Sequence, residues 1–143
     1  MTDYRDTNRT QFDIFKSLDR DAPINMLNLV KFFDKAAYPA DHPLAGEDLT
    51  GAQAYAKYGK TSGPVLARVG GTVIWRGGFD VSLIGAPDEA WDAMFIVHFP
   101  KAAAFLAMVT DPDYQSSVIH RQAAVQDSRL IRTRPLPPSD VFA

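Results

Sequence analysis

Two neighbouring residues, His120 and Arg121, are of types suited to acid–base or ion-pair chemistry. They lie in DPDYQSSVIHRQAAVQDSRLI, residues 111–131, which opens like a helix and ends like a strand. On that helix His120 is predicted to point about 150° away from the apolar sector, into solvent. Arg121 lies on the flank of the sector, where a guanidinium could hold a ligand carboxylate or phenolate through two hydrogen bonds. The alternative is that Arg121 pairs with a local acid such as Asp127 or Asp113 and holds the helix to the last strand.

Two further polar side chains lie in apolar runs that are typical of strands. Asn28 is in the middle of INMLNLVKFF, residues 24–33. An amide on a covered strand must find hydrogen-bond partners, either across the sheet or on a ligand. His98 is near the end of WDAMFIVHF, residues 91–99. Because histidine is the usual general base near neutral pH, His98 is the candidate catalytic residue, with a half-buried structural histidine as the alternative.

Composition and spacing argue against several classes of function. The chain has no cysteine, which excludes disulfides and thiolate chemistry. Its three histidines, His42, His98 and His120, lack metal-ligand spacing, so no metal and no other cofactor is predicted. A net charge of −2 does not indicate a nucleic-acid-binding protein. There is no signal segment and no apolar run near the roughly 18 residues that span a bilayer, so we expect a cytoplasmic protein without membrane partners.

The elements that must position these residues follow the order helix, β, α, β, β, α, β. The core of this order, βαββαβ, is the ferredoxin-like unit, an antiparallel sheet with helices on one face. The first and third strands are apolar on both faces, and a second copy of the chain is the simplest cover for the other face. We therefore expect one α+β domain over residues 1–143 that forms a homodimer. It has an N-terminal helical extension at 1–22, a loop insertion at 34–49 and a tail at 135–143.

Three local features are also predicted. Thr50 can cap the helix that follows the insertion. Gly59, Gly63 and Pro64 are expected to kink or divide that helix. The pair Gly77-Gly78 is expected to form a bulge or sharp bend inside an alternating run. The insertion at 34–49 is long for a compact domain, and whether it closes over a ligand as a lid is left open.

Four segments together resemble the family called domain of unknown function 1330. They are INMLNLVKF, GGTVIWRGG, WDAMFIVHFP with the Ala/Phe-rich helix after it, and DPDYQSSVIHRQAAVQDSRLI. The resemblance covers roughly residues 24–131 and implies a dimeric α+β barrel, in which two ferredoxin-like sheets face each other. It implies no particular activity, since the wider superfamily includes cofactor-free monooxygenases, haem-handling enzymes and simple stress-related barrels.

Aromatic residues on elements that would line a cleft between sheet and helices favour a pocket for a flat apolar ligand, with ordinary core packing as the alternative. The ligand-binding candidates are Asn28, Tyr58, Trp75 and Arg121. The first hypothesis is a homodimer that binds a small, partly aromatic organic molecule, and whether it is an enzyme is left open. The second is a structural dimer whose cleft is filled by side chains. The third is a haem-related enzyme or cofactor-free monooxygenase that uses His98.

Overall fold

The computed structural model describes residues 3–143, so Met1 and Thr2 of the predicted extension lie outside the described residues. The predicted order of elements is confirmed. The helices are α1 Arg9–Ser17, α2 Gly51–Arg68, α3 Ala102–Thr110, α4 Pro112–Gln115 and α5 Val118–Ala124. The strands are β1 Ile24–Phe32, β2 Thr72–Gly77, β3 Ala93–Phe99 and β4 Val125–Thr133.

The four strands form one antiparallel sheet in the order β2-β3-β1-β4. In the register, Met26 of β1 lies opposite Val97 of β3 and Arg132 of β4. Strands β1 and β3 are therefore central, as the apolar character of both of their faces indicates. The arrangement is the predicted ferredoxin-like α+β fold.

The two faces of the sheet differ in what covers them. On the helix-facing side, Met26 and Val97 pack with Val65 of α2 and Met108 of α3 in one buried cluster. The residues that alternate with these on the strands point to the other side, which we call the open face. Its apolar members are half-buried or exposed: Leu27, Leu29, Trp75, Met94, Ile96 and Ile131.

Helix α2 is continuous, so the predicted division of this helix is wrong. The side chain of Thr50 accepts a hydrogen bond from the backbone N–H of Gln53, which completes the predicted cap as a capping box. Gly59 and Pro64 both lie inside the helix, on its exposed side. The buried side packs on the core through Val65, and such tertiary packing outweighs the unfavourable helix propensity of proline and glycine.

The irregularity of β2 also differs from the prediction. The pairing register shifts between Val73 and Trp75, and the strand ends at Gly77. The residues after Gly77 continue the alternating pattern but form no strand, and Val81 and Leu83 are exposed. Residues 79–83 alternate in sequence but follow the edge strand β2, so the sheet offers no strand on that side with which they could pair.

The insertion at 34–49 is anchored to the rest of the fold. Lys35 forms an isolated β-bridge with Thr50, so the two ends of the insertion meet. The backbone N–H of Ala37 donates to the carbonyl oxygen of Ala123 at 2.8 Å. Tyr38 is buried in the core. The insertion is therefore attached to α5 as well as to α2.

Residues 3–8, which precede α1, run beside the start of β4. The backbone N–H of Tyr4 donates to Oδ1 of Asp127 at 2.8 Å, and the Nε of Arg5 donates to the carbonyl oxygen of Val125 at 3.0 Å. Helix α1 itself packs on α3 through Phe15 and Phe105, whose rings lie 5.0 Å apart. The N-terminal extension is thus held along the edge strand β4 and against α3.

Candidate functional site

Two hydrophobic clusters, rather than one continuous core, fill the space between the sheet and the helices. The first is built around Ile24, Met26 and Phe99 at one end of the sheet. The second is built around Val30 and the residues of α5 and the insertion that cover it. Phe95 packs against both clusters. The middle of the sheet therefore lies at a boundary between the two clusters.

At this boundary the sheet carries a row of three residues that are less buried than their neighbours. Leu130, Asn28 and Phe95 are paired across β4, β1 and β3. Leu130 is 46% exposed, and Asn28 and Phe95 are half-buried. Two residues away on the same face of β1, Met26 and Val30 are 3% and 2% exposed. Water therefore reaches the middle of a central strand, and we call this space the Asn28 hollow, with Leu130, Asn28 and Phe95 as its floor.

Three tyrosines span the two clusters on the helix side of the hollow. Tyr55 packs against the second cluster and Tyr114 against the first. Tyr58 lies between them, with ring centroids 5.3 Å from Tyr55 and 6.1 Å from Tyr114. The hydroxyl oxygens of Tyr58 and Tyr114 are hydrogen-bonded at 3.0 Å. We call Tyr55, Tyr58 and Tyr114 the tyrosine trio.

The trio is suited to donating hydrogen bonds rather than to accepting protons as a base. Burial raises the pKa of Tyr55 to about 12, and the nearby Arg121 opposes that shift only in part. Burial, reinforced by Tyr114, raises the pKa of Tyr58 well above its usual range. Both hydroxyls are therefore neutral at physiological pH, and each carries a proton that it can donate.

Arg121 lies at one end of the hollow and attaches α5 to the neighbouring segments. Its Nη1 donates to the carbonyl oxygen of Arg5 at 2.5 Å and to Oδ1 of Asp6 at 3.3 Å. Its Nη2 donates to the hydroxyl of Ser128 at 3.4 Å. The expected link between this helix and the last strand is therefore present. The acid that pairs with Arg121 is Asp6 of the N-terminal extension. The expectation of Asp127 or Asp113 was wrong because the extension folds over α5.

The side chain of Asn28 has a single hydrogen-bond partner among the described residues. Its Nδ2 donates to the carbonyl oxygen of Met26 on the same strand at 3.0 Å. Within residues 3–143 the side chain of Asn28 makes no other hydrogen bond, so its Oδ1 faces the hollow side of the sheet without a protein donor. The amide can therefore accept a hydrogen bond from water or from a ligand.

His98 and Trp75 lie on the open face, with the sheet between them and the hollow. His98 is paired with Asn25 and Thr72, and its Nδ1 is hydrogen-bonded to Oδ1 of Asn25 at 2.8 Å. Trp75 is paired with Ile96 and is exposed. Of the predicted site residues, the fold therefore places Asn28, Tyr58 and Arg121 on the helix-facing side of the sheet and the other two on the opposite side.

His120 does not point into solvent, so this prediction was wrong. It is half-buried, and its Nδ1 is hydrogen-bonded to the hydroxyl of Tyr38 at 2.7 Å. The ring of Tyr38 also stacks on His42, with centroids 4.8 Å apart. The insertion brings Tyr38 and His42 onto the outer side of α5. Helical geometry alone could not indicate this contact, because the partners are 82 residues apart in the chain.

Stability should depend on pH through His120. Burial, and then the nearby His42 and Lys57, lower the pKa of His120 below its ordinary value of 6.5. A histidine with a lowered folded pKa contributes its full stability above the unfolded pKa and loses it as the pH falls below that value. We expect the free energy of unfolding to fall between pH 7 and pH 5, and less steeply in His120→Gln.

Urea denaturation at several pH values measures this difference. The free energies of unfolding of the two proteins should change in parallel between pH 8 and pH 9. In that range the imidazole of His120 is neutral in both the folded and the unfolded wild-type protein. Equal slopes for the two proteins below pH 7 would show that His120 is not the group responsible.

The structure offers no recognisable metal centre or membrane span in the part of the chain that it describes. Among residues 3–143, no group of three or more His, Asp or Glu side chains is placed to hold a metal ion. No helix in the same range is long and apolar enough to cross a bilayer.

Two surface hollows lie away from the Asn28 hollow. One of about 450 Å³ lies beside the β2–β3 connection and includes Phe79, Trp91 and Met94. Another of about 310 Å³ lies between the N-terminal extension, the insertion and α5, and includes Asp6 and Gln122.

Comparison with known proteins gives a family and a close structural match. The chain matches the family described as "Domain of unknown function (DUF1330)" over residues 44–133. No curated protein matches it. The crystal structure of RPA0582, a protein of unknown function from Rhodopseudomonas palustris, is 50% identical, with a TM-score of 0.88 over 96% of this chain and 100% of that one.

Two further solved structures are similar. Methylated RPA0582 gives a TM-score of 0.90 at 50% identity, over 98% of this chain and 100% of that one. A protein from Bacteroides fragilis, described as dimeric, of unknown function and with a ferredoxin-like fold, is 12% identical. It gives a TM-score of 0.47 over 80% of this chain and 98% of that one.

Proposed function

The chain belongs to the DUF1330 family, whose description names no activity, and from the geometry of its own site we propose that it is a homodimer that binds a small, partly aromatic organic molecule in the Asn28 hollow. The observation that carries this proposal is the interruption of the core at the row of Leu130, Asn28 and Phe95. A half-buried amide in the middle of a central strand interrupts the apolar surface of the sheet, whereas an apolar side chain there would join the two clusters.

The lining of the hollow suits a flat organic ligand. Phe95 and Leu130 offer apolar surface on the floor, and the tyrosine trio offers aromatic surface opposite. Asn28 and Arg121 are the polar groups that could orient a ligand. Small-molecule sites commonly combine a largely apolar lining with a few polar groups in this way.

Filling the hollow should abolish binding and stabilise the protein. We expect Asn28→Leu to raise the free energy of unfolding by about 1 kcal/mol, because it replaces a half-buried amide with an apolar side chain that joins the clusters. The same variant should no longer bind aromatic compounds. Nitrogen-15 NMR titrations with a panel of small aromatic acids, alcohols and amides, alongside urea denaturation, measure both effects.

A matched control is Asn25→Leu, which makes the same change on the open face of the same strand. It should leave binding in the hollow unchanged. If the wild-type protein binds none of the panel, or if Asn28→Leu binds as well as the wild type, the hollow is not the site. The result would then favour a structural dimer whose cleft is filled by side chains.

The open face supports the homodimer. Its centre is apolar and is half-buried or exposed in a single chain, and contiguous apolar surface of this kind marks interaction sites. A second copy related by a two-fold axis would cover it with the same residues, because a two-fold interface is self-complementary. Leu29 and Ile96 lie at the middle of this face, on the two central strands.

Placing a charge at the centre of the open face should dissociate the dimer. We expect the wild-type protein to have twice the chain mass of 15.8 kDa by light scattering. Ile96→Lys should have the mass of one chain, because an unpaired ammonium is costly to bury at an interface. Ile14→Lys makes the same change on the exposed surface of α1 and should remain a dimer. A wild-type monomer would contradict the proposed covering of the open face.

The alternatives that depend on His98, haem chemistry and cofactor-free oxygenation, receive less support. His98 is separated from the hollow by the sheet and is hydrogen-bonded to Asn25. It cannot reach a ligand in the hollow of its own chain as a base. We therefore propose binding without assigning a reaction.

A further inference from the structure

We propose that the ligand of the Asn28 hollow is an aromatic carboxylic acid, whose carboxylate binds the guanidinium of Arg121 while its ring lies between the tyrosine trio and the floor. This inference rests on the proposed function and names the class of ligand for the same site.

The first argument is the position of Arg121. Its Nη2 donates to the hydroxyl of Ser128, which lies on the helix-facing side of β4, two residues before Leu130 of the floor. Helix α5, which carries Arg121, packs against α2, which carries Tyr55 and Tyr58. The guanidinium is therefore at the end of the hollow where α5, α2 and β4 meet.

The second argument is that Arg121 retains donor capacity and positive charge. Its side chain is only 18% exposed. In residues 3–143 three of its five N–H groups have acceptors, two of them neutral oxygens of Arg5 and Ser128. The one carboxylate near it in that range is Asp6, which is 54% exposed and contacts it through a single oxygen at 3.3 Å. Such an exposed contact is weak, so a ligand carboxylate can compete with it.

The third argument is the excess of donors over acceptors around Arg121. The hydroxyl of Tyr58 or Tyr114 donates to the other, which leaves one of the two protons free for a ligand. The hydroxyl of Tyr55 makes no hydrogen bond to any described residue, and its pKa is raised by burial, so it keeps its proton. Two hydroxyl protons and two guanidinium N–H groups are thus available. A carboxylate can accept hydrogen bonds from such donors through both of its oxygens, whereas the positive charge of Arg121 would repel an amine or other cation.

The test compares benzoate with benzamide, which have the same size and shape and differ in charge. We expect the wild-type protein to bind benzoate about tenfold or more tightly than benzamide, as charge-assisted hydrogen bonds are stronger than neutral ones. Arg121→Gln should bind the two probes equally. NMR titration of the side-chain NH₂ signal of Asn28, identified by its loss in Asn28→Leu, reports both affinities at the hollow itself.

Asp6→Asn is the second variant, and it does not depend on how well Arg121→Gln folds. Because it removes the competing carboxylate but keeps Arg121, it should bind benzoate at least as tightly as the wild type, with benzamide unchanged. Circular dichroism of each variant checks that it is folded.

The outcomes separate this inference from the proposed function. Equal affinity of the wild type for benzoate and benzamide would overturn the assignment of a carboxylate and leave the hollow as a binding site. A preference for benzoate that persists in folded Arg121→Gln, or that is lost in Asp6→Asn, would also overturn it. Binding of neither probe would count against the proposed function itself, and the inference would fail with it.

Discussion

Replacing Gly51 with alanine is expected to lower the free energy of unfolding by about 2–4 kcal/mol. Gly51 is the first residue of α2, and its backbone N–H reaches the carbonyl oxygen of Asp34. A Cβ at this position would lie 2.0 Å from the carbonyl oxygen of Phe33 and 3.0 Å from Cβ of Phe32. The clash is with backbone, so either the start of α2 or the end of β1 must move.

The matched control is Gly59→Ala, the same change in the same helix. Nothing lies within 4 Å of a Cβ at Gly59, which is exposed. Alanine favours helix over glycine, so this variant should be more stable than the wild type by about 0.5–1 kcal/mol. Urea denaturation of both variants measures the contrast. Equal stabilities would mean that α2 does not lie against the end of β1 as closely as the structure has it.

Replacing Asp127 with alanine is expected to lower the free energy of unfolding by about 2–4 kcal/mol. The side chain is 2% exposed and accepts hydrogen bonds from the backbone N–H groups of Tyr4 and Ser128 and from Arg129 at 2.7 Å. The guanidinium of Arg129 lies over the rings of Tyr4 and Trp91, so it cannot easily turn to solvent. The substitution would leave that charge and two backbone donors without their acceptor.

The loss at Asp127 should also appear in the dependence of stability on acid pH. Burial raises the pKa of Asp127, but the hydrogen bonds from Tyr4, Arg129 and Ser128 outweigh it, so the pKa lies below its ordinary value of 3.8. A carboxyl with a lowered folded pKa contributes its full stability above the unfolded pKa and loses it as the pH falls below that value. Asp127→Ala should therefore lose less stability than the wild type on acidification below about pH 4.

An exposed acid provides the comparison for Asp127. Asp13 on α1 pairs with Arg9 and Lys16, and all three side chains are substantially exposed. Asp13→Ala should change the free energy of unfolding by less than about 0.5 kcal/mol, as is usual for surface pairs. A similar small effect for Asp127→Ala would mean that the N-terminal extension and β4 do not depend on this carboxylate.

Local sequence patterns, such as the spacing of apolar residues and helix caps, predicted the helices and strands well. Residues 24–33 are apolar on both faces, which indicated a strand that is covered on both sides, and the strand that they form, β1, is central in the sheet. Thr50 was expected to cap α2, and it does so because a hydroxyl at that position can reach an N–H only three residues ahead. Asn28 stood out because an amide interrupts an otherwise apolar strand.

Such local patterns could not predict contacts between residues that are far apart in the chain. The acid beside Arg121 is Asp6, 115 residues earlier in the chain, and nothing in the local spacing around the arginine indicates it. His120 is covered by Tyr38 because the insertion folds back over α5. The proline in α2 is tolerated because the buried side of the helix is held by the core, which local propensity does not record.

The sequence by itself determined the α+β class, the order of the strands and helices, and the apolar character of both faces of the sheet. These follow from periodicity and capping, which act over a few residues. The tertiary structure decided that Asn28, Tyr58 and Arg121 share one side of the sheet while His98 and Trp75 lie on the other. The hollow above Asn28 is also a tertiary feature, because it lies where two packed clusters meet, and those clusters draw side chains from helices and strands that are far apart in the chain.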